Sequence, residues 1–348
     1  MSETASFSGV GRETRRTCTL LKNLITGIIE SSQHNSLFQQ ELCHKMPIMK
    51  ILIIRPAALG DTLMLAPALS NSREWGEVIV AGRKPGVDFL RPLASACLDF
   101  EGPGWHALFM DAPEPGVILP LREADKIVAF LSDSQGAVKK NLERFFPAAS
   151  IAVLPGYPGE NEATHVALYL ARAMERSGLP VVAEHAMTEA MKRPLLLFGH
   201  RPRRRIVFHP SSGGAQKNHP PDFWLNLVGA FREKIRDIKE LPLILLGPAE
   251  EKLFHLFSGK KEAEILLSPN TDRLSLLLQE AMIYVGHDSG ITHLAAMLGA
   301  PTIALFRQTS VAQWKPLGPK VKVIEEHASG PELVEQVRIA AREFLSTL

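Results

Sequence analysis

At 348 residues, 45% of them apolar and 22% charged, the chain is too long for one small domain and apolar enough to bury cores in two of ordinary size. A formal net charge of +2 imposes no preference for nucleic acid, acidic partners or a membrane surface, so any such preference must come from local clusters. Its 3 cysteines, Cys18, Cys43 and Cys97, are odd in number and far apart, which excludes a disulfide framework or zinc spacing and points to a reducing, cytoplasmic setting; no apolar run is long enough to span a bilayer.

Residues 1–48 are rich in Ser, Thr, Gln and charge, and read as a disordered leader or an over-long reading frame whose true start is Met46 or Met49. Within them Leu20 to Ile29 has the spacing of a short amphipathic helix at a membrane surface. From Met49 the pattern changes. Lys50 to Arg55 (KILIIR) is a continuous apolar run of the kind a buried parallel strand requires. The turn Pro56 to Asp61 leads into a predicted helix from Thr62 to about Ser72. A strand follows over Glu77 to Ala81, then a helix-like stretch from Gly86 to Leu93. Strands over Ile127 to Leu131 and Ser150 to Leu154 precede a helix over Glu162 to Ser177. The alternation of strand and helix predicts an open parallel sheet covered on both faces, a first domain over 49–187.

His185 to Arg204 breaks this rhythm with Pro194, Pro202 and a basic run ending at Arg205, and 188–204 reads as an interdomain linker. Such a run is ordinarily solvated charge; facing an anionic membrane is the alternative. A second series, 205–348, begins with a strand over Ile206 to His209 and a Gly- and Ser-rich loop from Pro210 to Asn218. A helix over Pro221 to Arg236 leads to a buried strand, Leu241 to Leu246, and a helix beginning at Ala249. After a strand at Ile265 to Leu267 and a helix over Asp272 to Ala281 comes VGHDSGITHLAAMLGAPTIALF, a strand–turn–helix–turn–strand unit over Val285 to Phe306. Gly299 and Pro301 close its helix, and Glu332 to Leu348 is a final amphipathic helix. The fold class is therefore α/β, with two Rossmann-like domains.

In such sheets ligands bind beyond the carboxyl ends of the strands. Three loops there are polar in a coherent way. Pro56 to Thr62 carries Gly60 and Asp61, without a GxGxxG or Walker lysine pattern. Ser211 to Lys217 offers two hydroxyls, a Gly-Gly pair that allows close backbone approach, and an ammonium, a set suited to a diphosphate. Asp288 to His293 enters a helix through Asp-Ser-Gly, presenting free N–H groups to an anion; Asp288 or Ser289 acting only as its cap is the plainer reading.

IRPAALGDTLMLAPAL, HPSSGGAQKNHPPDFW and VGHDSGITHLAAMLGAPTIALF together resemble glycosyltransferase family 9, the ADP-heptose:lipopolysaccharide heptosyltransferases, from about Lys50 onward. The resemblance implies a GT-B fold: two facing Rossmann-like domains, an acceptor mainly on the first and a nucleotide-sugar on the second. It implies inversion at the anomeric carbon, an ADP-sugar donor, a lipopolysaccharide-type acceptor, no further cofactor and no metal site. The expected protein is a monomer without nucleic-acid partners, in the cytoplasm with peripheral contact at the inner membrane face.

By the same resemblance Asp61 matches the general base, a role its position as a helix N-cap would not exclude. Lys217 matches the diphosphate lysine, and Ser211 and Ser212 match hydroxyl residues on the phosphates. Ser289, Gly290 and Thr292 match the helix end that receives the diphosphate. Asp288, a carboxylate beside phosphate, is expected to face sugar hydroxyls or cap the helix. His293 matches a donor-side histidine, with a packed core residue as the alternative. Glu250 or Glu251 matches a ribose acceptor, or is a first-turn glutamate favoured by the helix dipole. Gly60 and Arg55 lie on the acceptor-side loop. The chain departs from the family pattern at Arg307-Gln308-Thr309, where Gly-Pro-Thr is common, and at His219, where tryptophan is common. The rival readings are a nucleotide-sugar epimerase on the same fold and a nucleotide-sugar-binding protein that has lost the chemistry.

Overall fold

The computed structural model describes residues 48–348, apart from 114–115, 160–161, 200–201, 235–239, 260, 326–329 and 347–348. The expectations for the leader fall outside the described residues, Ile48 excepted.

Two parallel sheets organise the chain from Met49 onward. The first has five strands: β1 (Lys50–Arg55), β2 (Glu77–Gly82), β3 (Ala96–Asp99), β4 (Lys126–Phe130) and β5 (Ser150–Leu154), in the order β3-β2-β1-β4-β5. The second has six: β6 (Arg205–His209), β7 (Leu243–Leu246), β8 (Glu264–Leu267), β9 (Ala281–His287), β10 (Thr302–Phe306) and β11 (Val321–Glu325), in the order β11-β10-β9-β6-β7-β8. The first strand of each series lies inside its sheet, β1 between β2 and β4, β6 between β7 and β9. The strand order reverses there, so a crevice opens beyond the carboxyl ends of β1, β6 and β9.

Burial explains why KILIIR tolerates no polar alternation. Ile51, Leu52, Ile53 and Ile54 are all fully buried. Ile51 and Ile53 join a core with Leu63, Leu170 and Met174, while Leu52 and Ile54 join a second core with Trp105 and Leu142. Each such side chain contributes about 1.5–3 kcal/mol when fully buried. The first of these cores continues through Leu195 and Leu294 to Val207 and Tyr284, so one apolar layer runs from the first sheet to the second. Ile206 and Phe208 point the other way, into a third core with Trp224 and Leu333.

Several predicted elements differ in extent. The helix expected over 62–72 is instead a short helix at Leu59–Leu63, followed by a 3₁₀ stretch at Ala68–Glu74 with non-helical backbone at Asn71. Pro67 precedes that stretch and has no N–H with which to continue a helical ladder. Gly86 to Leu90 is likewise a 3₁₀ turn. Residues 188–192, read as linker, are the end of a helix over Ala183–Lys192. The helices after β5 and β6 run over Val166–Arg176 and Pro221–Lys234; the expected end of the latter at Arg236 lies outside the described residues. β9 extends through His287, so that residue is strand rather than turn.

The basic run before β6 is largely neutralised from within. Arg204 pairs with Glu280 and Glu240, Arg205 with Glu240 and Glu264, and the Arg203 guanidinium donates to the Gly299 carbonyl. Glutamate pairing, rather than an anionic surface, accounts for Arg204 and Arg205. No helix among the described residues is long and apolar enough to cross a membrane.

Candidate active site

The three polar loops predicted from the sequence converge at the switch points. Asp61 lies in the first turn of the helix Leu59–Leu63, whose N-cap position is occupied by Ala58; the alternative of Asp61 as that cap is not what the backbone adopts. Arg55, at the end of β1, is buried. Its Nε donates to the Asp61 carbonyl at 2.8 Å and its Nη1 to the Gly156 carbonyl at 2.8 Å.

Facing this turn is the helix Gly290–Met297. Ser289 is its N-cap, and its Oγ accepts from the Thr292 N–H at 3.3 Å. The Thr292 hydroxyl in turn donates to the His287 carbonyl, tying the helix start to the end of β9. Asp288 does not cap. Its Oδ2 lies 3.1 Å from Lys217 Nζ and its Oδ1 3.6 Å from His293 Nε2. Burial pushes the Asp288 pKa up, but the His293 hydrogen bond and the Lys217 charge outweigh it and hold it at about 2. A carboxylate beside an anion-binding helix end thus carries its own cation. His293 is buried, as the packed-residue alternative expects, and presents its Nε2 to the Asp288 carboxylate.

The Ser211–Lys217 loop ends in a 3₁₀ turn at Ala215–Lys217. Ser211 is buried, with no hydrogen-bond partner for its Oγ among the described residues. Ser212 is engaged within its own loop, donating to the Asn218 side chain at 2.8 Å. Glu250 accepts from the Gly247 N–H at 2.6 Å, the plainer of its two expected roles. Nevertheless Glu250 also lines a pocket of about 320 Å³ with Ser212, Gly247, Ser289 and Ile291, closed from the first sheet's side by Leu59 and Pro85. Its size and largely apolar lining with a few polar groups suit a small organic ligand. His209, also on its wall, donates from Nδ1 to the Leu245 carbonyl and is kept neutral by burial. Among the described residues no cluster of three His, Cys, Asp or Glu side chains is placed to hold a metal.

The two halves meet at the Asp61 turn. A Cβ on Gly60 would sit 3.2 Å from the Gly290 Cα and 3.4 Å from His293 Cδ2, so the Asp61 turn and the Ser289 helix end are packed directly together. Against this arrangement the comparisons are decisive. The sequence model of glycosyltransferase family 9 (heptosyltransferase) matches residues 149–341. The chain belongs to glycosyltransferase family 9. The matched span takes in Lys217 and the Ser289 helix end, whereas Asp61 lies before it. Solved structures share the GT-B fold of these glycosyltransferases. A family 9 glycosyl transferase from Veillonella parvula is 14% identical, with 87% of this chain and 99% of that one aligned at a TM-score of 0.63. The E. coli heptosyltransferase WaaC with ADP is 16% identical over 85% of this chain and all of that one, at a TM-score of 0.60. E. coli ADP-heptose lps heptosyltransferase II is 17% identical over 85% and 99%, at 0.59. No curated protein matches the sequence.

As a family 9 enzyme the chain also places Tyr157 and His165, which sequence reasoning passed over, and Arg307, which it noted only as a departure from the family pattern. Tyr157, three residues beyond the end of β5, stacks over the Arg55 guanidinium at 5.1 Å and lies 6.3 Å, ring to ring, from Trp314 of the other half. His165 Nε2 donates to the Lys315 carbonyl at 2.9 Å while its Nδ1 accepts from the Ala167 N–H at 3.1 Å, bridging the halves as the neutral imidazole. Burial pushes its pKa down to about 4. Arg307 Nη1 donates to the Gln216 and Asn218 carbonyls at 3.3 and 3.1 Å, bracing the Lys217 loop. The signal available for Tyr157 was its position beyond the carboxyl end of a strand, the rule that found the other loops.

Proposed function

We propose that this family 9 enzyme is an inverting transferase that moves a heptose from an ADP-sugar to a lipopolysaccharide core acceptor. The observation that carries the reading is the packing of Gly60 against Gly290, which brings a carboxylate-bearing turn of one sheet to an anion-suited helix end of the other. A sugar hydroxyl is a poor nucleophile, and Asp61 takes its proton as its oxygen bonds the anomeric carbon. The bond from that carbon to the diphosphate breaks in the same displacement, and its electron pair leaves with the nucleotide. Lys217, the unpartnered Ser211 hydroxyl and the free N–H groups at the Ser289 helix end supply the stabilisation that the departing anion requires. Ser212, Glu250 and the apolar pocket around them take the nucleoside part. Asp288 and His293 lie where the transferred sugar's hydroxyls would need partners. The enzyme needs no cofactor beyond the donor in this reading, and its glycolipid acceptor calls for peripheral contact at the inner membrane face.

Calorimetric titration with ADP, UDP and GDP, repeated on Lys217→Ala, tests the donor half. Tight ADP binding lost in the variant is expected. Preference for UDP or GDP would move the enzyme to another donor, and sugar isomerisation without acceptor would favour an epimerase. Binding of none would favour a protein that has lost the chemistry. Turnover of Asp61→Asn close to wild type, with normal ADP binding, would overturn the base assignment.

A further inference from the structure

Arg55 is a full charge placed in an apolar surround. Its side chain is 1% exposed, yet no carboxylate forms an ion pair with it among the described residues; its Nη2 has no hydrogen-bond partner there either. Burying an arginine on these terms is costly, and burial lowers its pKa accordingly. What the guanidinium does instead is join two loops. Nε holds the backbone of Asp61, Nη1 holds that of Gly156, and the planar face lies between Phe130 at 5.9 Å and Tyr157 at 5.1 Å. The fit is tight, since a Cβ on Gly156 would fall 2.9 Å from Nη1. Lysine has neither the fork nor the flat face to reproduce this. The half-exposed Tyr157 ring so held stands opposite Trp314 of the other half.

We propose that Arg55 and Tyr157 are positioning residues for Asp61: Arg55 fixes the backbone that carries the carboxylate, and the Tyr157 ring, stacked on the guanidinium, fixes Arg55 in turn. The inference rests on the reading of Asp61 as the base. Neither residue exchanges a proton with substrate; both act by restricting where the base can be, and misplacement of about 1 Å costs on the order of a hundredfold in rate.

The test is a double-mutant cycle with ADP-heptose and core-truncated lipopolysaccharide as substrates, using Arg55→Lys, Tyr157→Leu and Asp61→Asn alone and in pairs. Tyr157→Leu removes the ring from the guanidinium at a half-exposed position and carries the test if Arg55→Lys does not fold. Each single variant is expected to lower kcat at least tenfold, with the ADP Kd within twofold of wild type. In the Asp61→Asn background neither should lower the residual rate further. Equal fold losses with and without Asp61 would reduce both residues to structural supports and overturn the proposal. So would wild-type kcat in both single variants while Asp61→Asn is impaired. Wild-type turnover by Asp61→Asn would instead remove the base reading, and this inference with it.

Discussion

Gly60 and Gly290 meet backbone to backbone where the two sheets face each other, and neither position has room for a side chain. A Cβ on Gly290 would stand 2.8 Å from the Gly60 nitrogen and 2.5 Å from Leu59 Cδ2. Leu59 can turn away; the Gly60 backbone cannot. Gly290→Ala is therefore expected to separate the Asp61 turn from the Ser289 helix end by a fraction of an ångström to an ångström. Turnover should fall about tenfold to a hundredfold. Gly290 is the first residue of its helix, and the clash must be relieved by moving one element, so the melting temperature should fall by a few degrees as well. Steady-state kinetics beside a thermal melt decide this, and unchanged turnover would show that the halves are not required at this spacing.

The Lys217–Asp288 pair makes opposite predictions for its two members. Asp288 is buried and stays ionised at any pH well above 2, so Lys217→Ala leaves a buried anion without its ammonium partner. A loss of about 1–3 kcal/mol in stability is expected, together with loss of ADP binding. Asp288→Asn frees the ammonium and removes a negative charge from the phosphate site. ADP should then bind up to about tenfold more tightly, roughly 1.4 kcal/mol, although turnover falls. Weaker ADP binding by Asp288→Asn in calorimetry would refute the competition between carboxylate and diphosphate.

His165 sets a pH dependence of the joined halves. Its folded pKa of about 4 lies below the ordinary 6.5 because it is buried as the neutral bridge. Below about pH 6.5 the unfolded chain takes up a proton that the folded one refuses, so stability is full above that pH and falls toward pH 4. The slope is at most about 1.4 kcal/mol per pH unit for each such group. His287, pushed down to about 3 by burial, adds a second contribution of the same sign. Urea unfolding at pH 7 and pH 5 measures this. His165→Gln keeps a donor toward the Lys315 carbonyl without titrating; with His287 and the buried His209 still refusing protons, it should lose about two thirds as much between the two as the wild type.

Much of this arrangement was legible because buried parallel strands leave so little choice. KILIIR and LPLILL can serve only between covering layers, and the polar residues immediately after such strands mark the ligand side. Asp61, Ser211, Lys217 and Ser289 were found in that way, and the sheet orders put their loops at the switch points. What periodicity could not supply was the conformation of short segments under tertiary control. The Leu59–Leu63 helix starts before its predicted apolar face and stops well before Pro67, because its contacts are with the helix Gly290–Met297 rather than with its own sheet alone. ACLD of β3 is too short and too evenly half-buried to show alternation. Tyr157 looks like any turn aromatic until Arg55, 102 positions earlier, is seen beneath it. Asp288 looked misplaced next to a phosphate site because its partner, Lys217, is on another loop.

Arg307 shows that a departure from the family pattern can have a local structural reason. It stands just beyond β10, and its Nη1 spans the carbonyls of Gln216 and Asn218 on either side of Lys217. Two carbonyls held by one planar cation fix the loop between them, and with it the direction from which the ammonium leaves the backbone. Arg307→Ala removes both bonds without touching any of the buried cores, so the melting temperature should stay within a few degrees of wild type. ADP affinity should fall about fivefold to tenfold, because the loop must then be ordered by the ligand itself. Arg307→Lys can offer N–H groups to both carbonyls, but from a shorter, flexible stem without the plane that fixes their direction, and should recover only part of the loss. Calorimetry with ADP on both variants separates the possibilities. Full recovery by lysine would mean that Arg307 acts on the nucleotide through charge alone; no loss in either variant would mean that the loop holds its shape unaided.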